Sequence, residues 1–295
     1  MTMTMIDKDT LVQQLREAGV VRGDLLNLKV SMGSLGYVIG GAKTLVDALL
    51  EAVGPEGTIE AQAFVRGYPL PLSDKDAREV SDRWTPSYAG ALVNAMLWHP
   101  GAVCSTHPIQ RFVLIGAQAE ALARMHTPES FAYDVLRVMA RCEGKTLKIG
   151  TDEKVHGVGT THVAVYLAGL KRLTDVRLGV NYYDGQDGTI KLFERDWPTQ
   201  CPRMFVKVAA LWEQAVLKRS MVGDANVAVY DMEAALSCEV AAMQSDPSII
   251  LCDDPACVDC QTAWEFSPRA GEVLKPRARP RAVSFIARSA KRLLR

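Results

Sequence analysis

Apolar positions recur along this chain with two spacings, one typical of amphipathic helices and one typical of buried strands. In residues 10–20, TLVQQLREAGV, the apolar side chains share one helical face and a glycine can end the helix. Residues 23–30, GDLLNLKV, have the apolar run of a buried strand. A helical pattern over residues 40–57 and a strand pattern over 57–64 follow. This strand–helix–strand order predicts an α/β sheet covered by helices.

Further along the chain the two spacings continue to alternate. Residues 88–102 and 117–125 have helical patterns, whereas residues 111–116 and 146–150 have strand patterns. The strand at 146–150 leads into a polar, glycine-rich loop, and an apolar helix pattern starts near Thr160. These elements extend the predicted α/β sheet beyond the middle of the chain.

The last third of the chain predicts a hairpin and two helices. In residues 178–197, LGVNYYDGQDGTIKLFERDW, Gly185 and Gly188 are available for the turn of a β-hairpin. Helical patterns follow in residues 205–219 and 232–247.

The composition is that of an ordinary globular protein, with 48% hydrophobic and 23% charged residues in a chain of 295. No apolar run approaches the roughly 20 residues that a membrane-spanning helix needs. Residues 1–19 lack the basic start and apolar stretch of a secretory signal. Seven cysteines, an odd number, favour a reducing compartment over a disulfide framework. We therefore expect a cytoplasmic protein.

The net charge of zero hides an uneven distribution of charge. From Lys275 to the end there are eight basic and no acidic residues, so residues 1–274 carry 34 acidic against 26 basic residues. We predict one domain over residues 1–270 and a basic tail over 271–295. The tail is typical of an amphipathic helix on the inner membrane surface or of a docking peptide, and equally of a solvated tail. The acidic body argues against a nucleic-acid-binding domain.

Four segments, taken in order, resemble the aminoglycoside 3-N-acetyltransferase family, also called the antibiotic N-acetyltransferase family. They are GDLLNLKVSMGSLGYVIGGAKTLVDALLEAVGPEGTIEAQAF, WTPSYAGALVNAMLWHPGAVCSTHPIQRFVLIG, LKIGTDEKVHGVGTTH and VGDANVAVYDMEAALSCEVAAMQSDPSIIL. The resemblance implies a central mixed sheet flanked by helices. It also implies acetyl-coenzyme A as co-substrate and a small-molecule amine as acceptor. Two departures stand out, because Lys29 replaces the usual histidine after the first strand and Val165 replaces a frequent glutamate.

The resemblance places a cofactor-binding surface in the loop after the first strand and in the Thr-Pro-Ser block. Small residues in such a loop let a pantetheine or phosphate approach the backbone, and amides at the next helix start can bind anions. The predicted cofactor-binding residues are Ser31, Ser34, Leu35, Gly36, Gly40, Gly41, Thr85 and Ser87.

His162 is the leading candidate for a catalytic base. It lies in the first turn of a predicted helix, with Thr160 or Thr161 as N-cap, and a helix N-terminus disfavours the imidazolium form. A base is needed because a protonated amine has no lone pair with which to attack a thioester. Backbone amides or hydroxyls such as those of Ser31 and Thr160 could stabilise the oxyanion. The alternative is a histidine that only hydrogen-bonds the backbone at a loop–helix junction.

Three further side chains are candidates for the catalytic site. His107 precedes a proline, which holds it in an extended or turn geometry, and the matching family block implies an active-site wall. Asp152 or Glu153 could orient His162 in place of the missing glutamate. The alternatives are a structural turn histidine and solvated loop charges that accompany His156.

Cys252, Cys257 and Cys260 form a C-x4-C-x2-C cluster just beyond the recognised segments. Thiolates at this spacing can hold Zn²⁺ or an iron–sulfur cluster, and a structural zinc is favoured over a redox centre. A fourth ligand would have to come from elsewhere in the chain. The alternative is a set of ordinary thiols in an acidic loop.

The resemblance, taken with these candidate residues, implies a coenzyme-A-dependent N-acyltransferase, acting on the amine of a sugar or sugar-like acceptor in surface-glycan assembly. Two other classes stay open. One is a non-catalytic relative that binds acyl-CoA or a sugar nucleotide, and the other is a peripheral membrane assembly subunit. A homo-oligomer is compatible with every reading.

Overall fold

The computed structural model describes residues 5–151, 157–173, 177–184, 188–196 and 201–272. The strands are β1 (Met5–Ile6), β2 (Leu25–Val30), β3 (Tyr37–Val38), β4 (Thr58–Gln62), β5 (Tyr68–Pro69), β6 (Val80–Ser81), β7 (Val103–Cys104), β8 (Phe112–Gly116), β9 (Lys145–Ile149), β10 (Arg177–Tyr183), β11 (Ile190–Asp196), β12 (Val216–Val222) and β13 (Ala225–Asp231). The helices are α1 (Lys8–Glu17), α2 (Gly41–Val53), α3 (Ala91–Leu97), α4 (Ala119–Arg124), α5 (Asp134–Arg141), α6 (Thr161–Leu167), α7 (Met204–Val208), α8 (Met232–Ser245) and α9 (Val258–Thr262).

A seven-stranded sheet forms the centre of the molecule, in the order β12-β13-β9-β2-β4-β8-β7. Strand β2 is parallel to both β4 and β9, whereas the other neighbours in this sheet are antiparallel. Helices cover both faces, since separate hydrophobic clusters lie on the two sides. The predicted α/β fold with a central mixed sheet flanked by helices is confirmed.

The two faces of this sheet differ in polarity. One face carries the alternating apolar residues of the strands, such as Leu26 and Leu28, and packs on α1, α2 and α3. On the other face, the three central strands carry polar residues at alternate positions, because side chains of a strand point in turn to opposite faces. These polar residues are Asn27, Lys29, Glu60, Gln62, Thr146 and Lys148. The polar row runs toward the carboxyl ends of β2, β4 and β9.

The predicted hairpin is present as β10 and β11, which pair antiparallel with Tyr183 opposite Ile190. Strands β5 and β6 both pair with β10, which completes a smaller four-stranded sheet. The predicted helices near residues 10–20, 40–57 and 232–247 are also present, as α1, α2 and α8.

The prediction of one helix over residues 205–219 is wrong. Helix α7 ends at Val208, a 3-10 helix follows over Ala209–Ala215, and residues 216–222 form β12. Strand β12 pairs along its length with β13 at the edge of the main sheet. The ladder hydrogen bonds of this pairing therefore outweigh the local helical spacing.

Among the described residues, no helix combines the length and apolarity needed to cross a bilayer. Residues 273–295 lie outside the described ranges, so the predicted basic tail and its contact with a membrane stay predictions.

Candidate active site

A cavity of about 550 Å³ opens at the carboxyl ends of β2 and β4, on the polar face of the main sheet. Open α/β sheets bind ligands at this edge, where the strands end and the loops diverge. The lining residues are Leu28, Lys29, Val30, Ser31, Gln62, Phe64, Tyr88, Ala89, Leu92, Val93, Thr151, Gly159, Thr161, His162 and Phe205. This cavity, termed the central cavity below, contains the leading candidate base from the sequence.

His162 lies in the first turn of α6, as the sequence predicts, and lines the central cavity. Its ring stacks on Tyr133 with 4.5 Å between ring centroids and 18° between planes. The Phe205 ring lies edge-on to the His162 ring, with 6.4 Å between ring centroids. Two aromatic neighbours fix the plane of the imidazole while leaving part of the ring toward the cavity.

The loop before α6 is anchored to the polar row of the sheet. Thr146 Oγ1 donates to the Val158 carbonyl at 2.6 Å, and Asn27 Nδ2 donates to Thr146 Oγ1 at 2.9 Å. Lys148 Nζ donates to the Gly157 carbonyl at 3.0 Å. The buried polar side chains of β2 and β9 therefore set the path of the backbone into α6.

Glu239 of α8 fixes the start of α6, and it is absent from the candidate residues predicted from the sequence. Its carboxylate accepts hydrogen bonds from Thr160 Oγ1 at 2.6 Å, from Thr161 Oγ1, and from Trp212 Nε1 at 2.8 Å. Complete burial raises the pKa of this carboxyl to about 7, and the three donors act in the opposite direction. Thr160 is the N-cap residue by position, but its hydroxyl makes no cap hydrogen bond because it donates to Glu239 instead.

A signal for Glu239 is present in the sequence. The buried residues of α8 are Met232, Ala235, Leu236, Glu239 and Met243, so one carboxylate interrupts an apolar helical stripe. A glutamate is rarely buried without a partner, and the break in the stripe could have predicted a buried polar contact.

Two titratable groups lie near each other at the central cavity: Lys29, half-buried in its wall, and Glu60, fully buried in the sheet. Lys29 Nζ donates to Gln62 Oε1 at 2.5 Å. Burial lowers the pKa of Lys29 and raises that of Glu60, and the charge of each partner opposes these shifts. Neither Glu60 oxygen has a hydrogen bond within the described part of the chain, in keeping with a carboxyl whose protonated form is favoured by burial.

His107 lies away from the central cavity. Its Nδ1 accepts from the backbone amides of Ile109 and Gln110, and its ring stacks on His126 at 5.0 Å. Burial, together with His126 and Arg195, lowers the pKa of His107 to about 2, so the ring is neutral at physiological pH. The geometry is that of the structural turn histidine, and a catalytic role for His107 stays a prediction.

The predicted cofactor-binding residues fall into separate places. Ser31 lines the central cavity, while Ser34 lines a second cavity and lies 2.9 Å from Ser31 between their hydroxyl oxygens. Leu35 is fully buried in the core, so its side chain faces neither cavity. Gly40 and Gly41 have positive φ at the start of α2, a conformation that favours glycine.

The other three residues of this set lie in loops. Gly36 follows Leu35 with a φ of 90°. Thr85 Oγ1 donates a hydrogen bond to Asp82 Oδ1 at 2.9 Å, and Ser87 Oγ donates to the Phe64 carbonyl at 3.0 Å. Ser87 thereby positions the segment that contributes Tyr88 to the central cavity. Cofactor contacts by these residues stay predictions.

The second cavity, of about 720 Å³, adjoins the central cavity and shares Thr151 with it. Its wall includes the carboxylates Glu213 and Asp224. Asp152, Glu153 and His156 follow Thr151 in the sequence but lie outside the described residues. Their predicted orientation of His162 is therefore untested.

The three cysteines singled out in the sequence lie together with a fourth. The sulfurs of Cys201, Cys252, Cys257 and Cys260 are all within 4.8 Å of one another. Cys201 lies before α7, some 50 residues upstream of the others, and sequence spacing gave no signal for it. The cluster lines neither of the two cavities.

Comparison with known proteins adds to this geometry. The sequence model of a family described as aminoglycoside 3-N-acetyltransferase matches residues 28–244, about three quarters of the chain. Aminoglycoside N(3)-acetyltransferase III from Salmonella sp is 36% identical over 134 residues, which is 41% of this chain and 47% of that protein. The chain thus spans about half the length of the curated relatives it matches.

Two solved structures share the fold over most of the chain. AAC-VIa bound to sisomicin has a TM-score of 0.71 at 25% identity, covering 82% of this chain and 98% of its own. A binary complex of AAC-IIIb with CoASH has a TM-score of 0.69 at 20% identity, and the match covers 82% of this chain and 97% of that chain.

Proposed function

The chain belongs to the aminoglycoside 3-N-acetyltransferase family, and from this premise we propose that it transfers an acetyl group from acetyl-coenzyme A to the amine of a sugar or sugar-like acceptor. The observation that carries the proposal is the position of His162, held between Tyr133 and Phe205 at the wall of the central cavity.

In the proposed reaction, His162 acts as general base. The acceptor nitrogen attacks the thioester carbonyl, its proton passes to the imidazole, and a C–N bond forms. The tetrahedral intermediate then collapses, the C–S bond breaks, and the leaving thiolate takes the proton from the imidazolium to give coenzyme A. A neutral, positioned histidine is suited to this step, which contributes about 10²- to 10⁴-fold in rate.

Ser31 is the better of the two hydroxyls suggested for the oxyanion. Its side chain lines the central cavity. The Thr160 hydroxyl is fully buried and donates to Glu239 at 2.6 Å, so its proton is already used. An oxyanion donor must point at the reacting carbonyl oxygen, and the position of Ser31 in the cavity wall supports this role.

The charge around the central cavity bears on the acceptor. The Lys29 side chain lines the central cavity at a position where the family usually has histidine, and the nearby Glu60 is fully buried. A cationic lysine disfavours acceptors with several ammonium groups close to it. We therefore propose a sugar with one or few amines rather than a polycationic drug, and an amino sugar of surface-glycan assembly has this chemistry.

The test is coenzyme A release with acetyl-CoA and a panel of amino sugars, with sisomicin as the polycationic member. We expect His162→Asn to bind acetyl-CoA as the wild type does, by calorimetry, and to lose turnover by about 10²-fold or more. The matched control is His99→Asn, because His99 lies outside both cavities. Unchanged turnover in His162→Asn would exclude the general-base role.

A second candidate function is supported by the same Lys29 position. If the altered residues at the end of β2 prevent catalysis, the chain would bind acyl-CoA or a sugar nucleotide without turning it over. Binding of acetyl-CoA with no coenzyme A release on any amine would favour this candidate. A folded wild-type protein that binds no acyl-CoA would overturn both.

A further inference from the structure

Four cysteines from three separate segments meet in one place among the described residues. Cys201 precedes α7, and Cys252 follows the 3-10 helix Pro247–Ile250. Cys257 is the N-cap of α9, and Cys260 lies within α9. All four are free thiols, three of them buried and Cys257 partly buried.

We propose that these four cysteines bind one Zn²⁺ in a structural site, with Cys201 as the fourth ligand missing from the local C-x4-C-x2-C pattern. Four points that are all within 4.8 Å of one another fit inside a sphere of about 2.9 Å radius. A tetrahedral zinc needs Zn–S distances of about 2.3 Å, so each sulfur moves inward by roughly 0.6 Å at most. Rotation of χ1 can supply a shift of this size.

Backbone amides make hydrogen bonds at the cluster and beside it. The Cys252 amide donates to Cys260 Sγ at 3.2 Å, a contact that stabilises a thiolate. Asp254 Oδ1 accepts from the Ala256 amide at 2.8 Å, which forms the turn between Cys252 and Cys257. The site thus has hydrogen bonding of its own beyond the four sulfurs.

Two ion pairs join the segment of Cys201 to the segment of the other cysteines. Arg203 pairs with Asp254 at 2.5 Å, and Lys207 pairs with Asp253 at 2.5 Å. Each pair has one exposed and one half-buried partner, and a single pair of this kind contributes little to stability. Together they place the Cys201 segment against the C-terminal segment, where a metal would fix it.

The chemistry of the donors favours a structural zinc. Four protein sulfurs fill a tetrahedral shell and leave no position for a water or substrate, unlike a catalytic zinc. Phe205 lies four residues after Cys201 and forms the wall of the central cavity beside His162. The metal would therefore hold this wall in place without taking part in the reaction.

The test is the metal content of the full chain, purified under reducing conditions without added chelator and measured by elemental analysis. We expect about one zinc per chain, and Co²⁺ in its place should give the visible spectrum of tetrahedral sulfur coordination. Iron in place of zinc, no metal, or two disulfides by intact mass would each overturn the proposal.

Variants locate the site. Cys201→Ser and Cys257→Ser should lose the bound zinc, whereas Cys142→Ser, which changes an exposed cysteine outside the cluster, should keep it. If the cluster variants do not fold, zinc is instead removed from the wild-type protein with a chelator, and the melting temperature is measured before and after. A lower melting temperature that zinc restores supports the site, and an unchanged melting temperature after complete zinc removal contradicts its structural role.

Discussion

At the scale of single residues, Glu239 is the carboxylate on which three donors converge. The donors come from the start of α6 and from the 3-10 helix after α7, so one side chain joins three segments. A buried carboxylate of this kind is retained only because its hydrogen bonds are made. Its effect on His162 is indirect, through the position of the first turn of α6.

The raised pKa of Glu239 predicts a pH-dependent stability. The folded state holds the Glu239 proton more tightly than the unfolded state does. Protonated Glu239 therefore makes its full contribution to the free energy of unfolding below pH 4.5, and that contribution is lost as pH rises through about 7. At about 1.4 kcal/mol per pH unit, the free energy of unfolding should fall by about 3 kcal/mol over this range. In Glu239→Gln, which cannot ionise, we expect this pH dependence of the free energy of unfolding to disappear.

The measurement is denaturant unfolding of wild type and Glu239→Gln across that pH range. Glu233→Gln is the matched control, because Glu233 lies exposed on the same helix and should leave the wild-type profile unchanged. A profile of Glu239→Gln that runs parallel to the wild type at every pH would contradict the prediction.

At the scale of elements, α6 and the loop before it decide where the candidate base lies. Gly159 has a φ of 96°, and a Cβ at this position would lie 2.5 Å from Asn27 Nδ2. Glycine is required here both by the backbone conformation and by the closeness of β2. A structural turn therefore explains the glycine at the end of the Gly-Val-Gly sequence over residues 157–159.

We expect Gly159→Ala to lower kcat by about 10- to 100-fold, because a displaced Asn27 or loop moves His162 relative to the acceptor. Gly169→Ala is the matched control at the other end of α6, where φ is 70° and no atom lies within 4 Å of an added Cβ. That control carries only the cost of a positive φ, about 1–2 kcal/mol of stability, and should keep kcat.

Kinetics on both variants at a temperature where each is folded tests this comparison. If Gly159→Ala keeps the wild-type kcat, or if the two alanine variants lose kcat equally, the loop does not position His162 in the proposed way.

At the scale of the whole molecule, the catalytic machinery proposed here lies within the sheet and its adjoining helices. Every residue that lines the central cavity lies between Leu28 and Phe205. The basic segment from Lys275 onward is separate from this set in the sequence.

Deletion of residues 275–295 should therefore leave turnover unchanged, as measured by coenzyme A release. If the tail binds an anionic membrane surface, the full chain should co-sediment with phosphatidylserine vesicles at low salt and the shortened chain should not. Reduced turnover of a folded shortened chain would show that the tail contributes to the site. Equal sedimentation of both would remove the tail as the membrane contact.

The sequence by itself determined the elements of this protein whose signals are local. The helical stripe of α1, the strand patterns of β2 and β4, the hairpin β10–β11 and the His162 turn follow from spacing within a few residues. The prediction failed at β12, because a seven-residue edge strand is stabilised by its partner β13 and not by its own pattern.

Only the tertiary structure decided which distant residues meet. Thr160 and Glu239 are 79 positions apart, and Cys201 joins three cysteines about 50 positions away. No local period encodes such contacts, because they arise when the sheet and its helices pack and bring separate segments together. The sequence therefore indicated His162 and three cysteines, and packing supplied the carboxylate that holds the helix and the fourth sulfur.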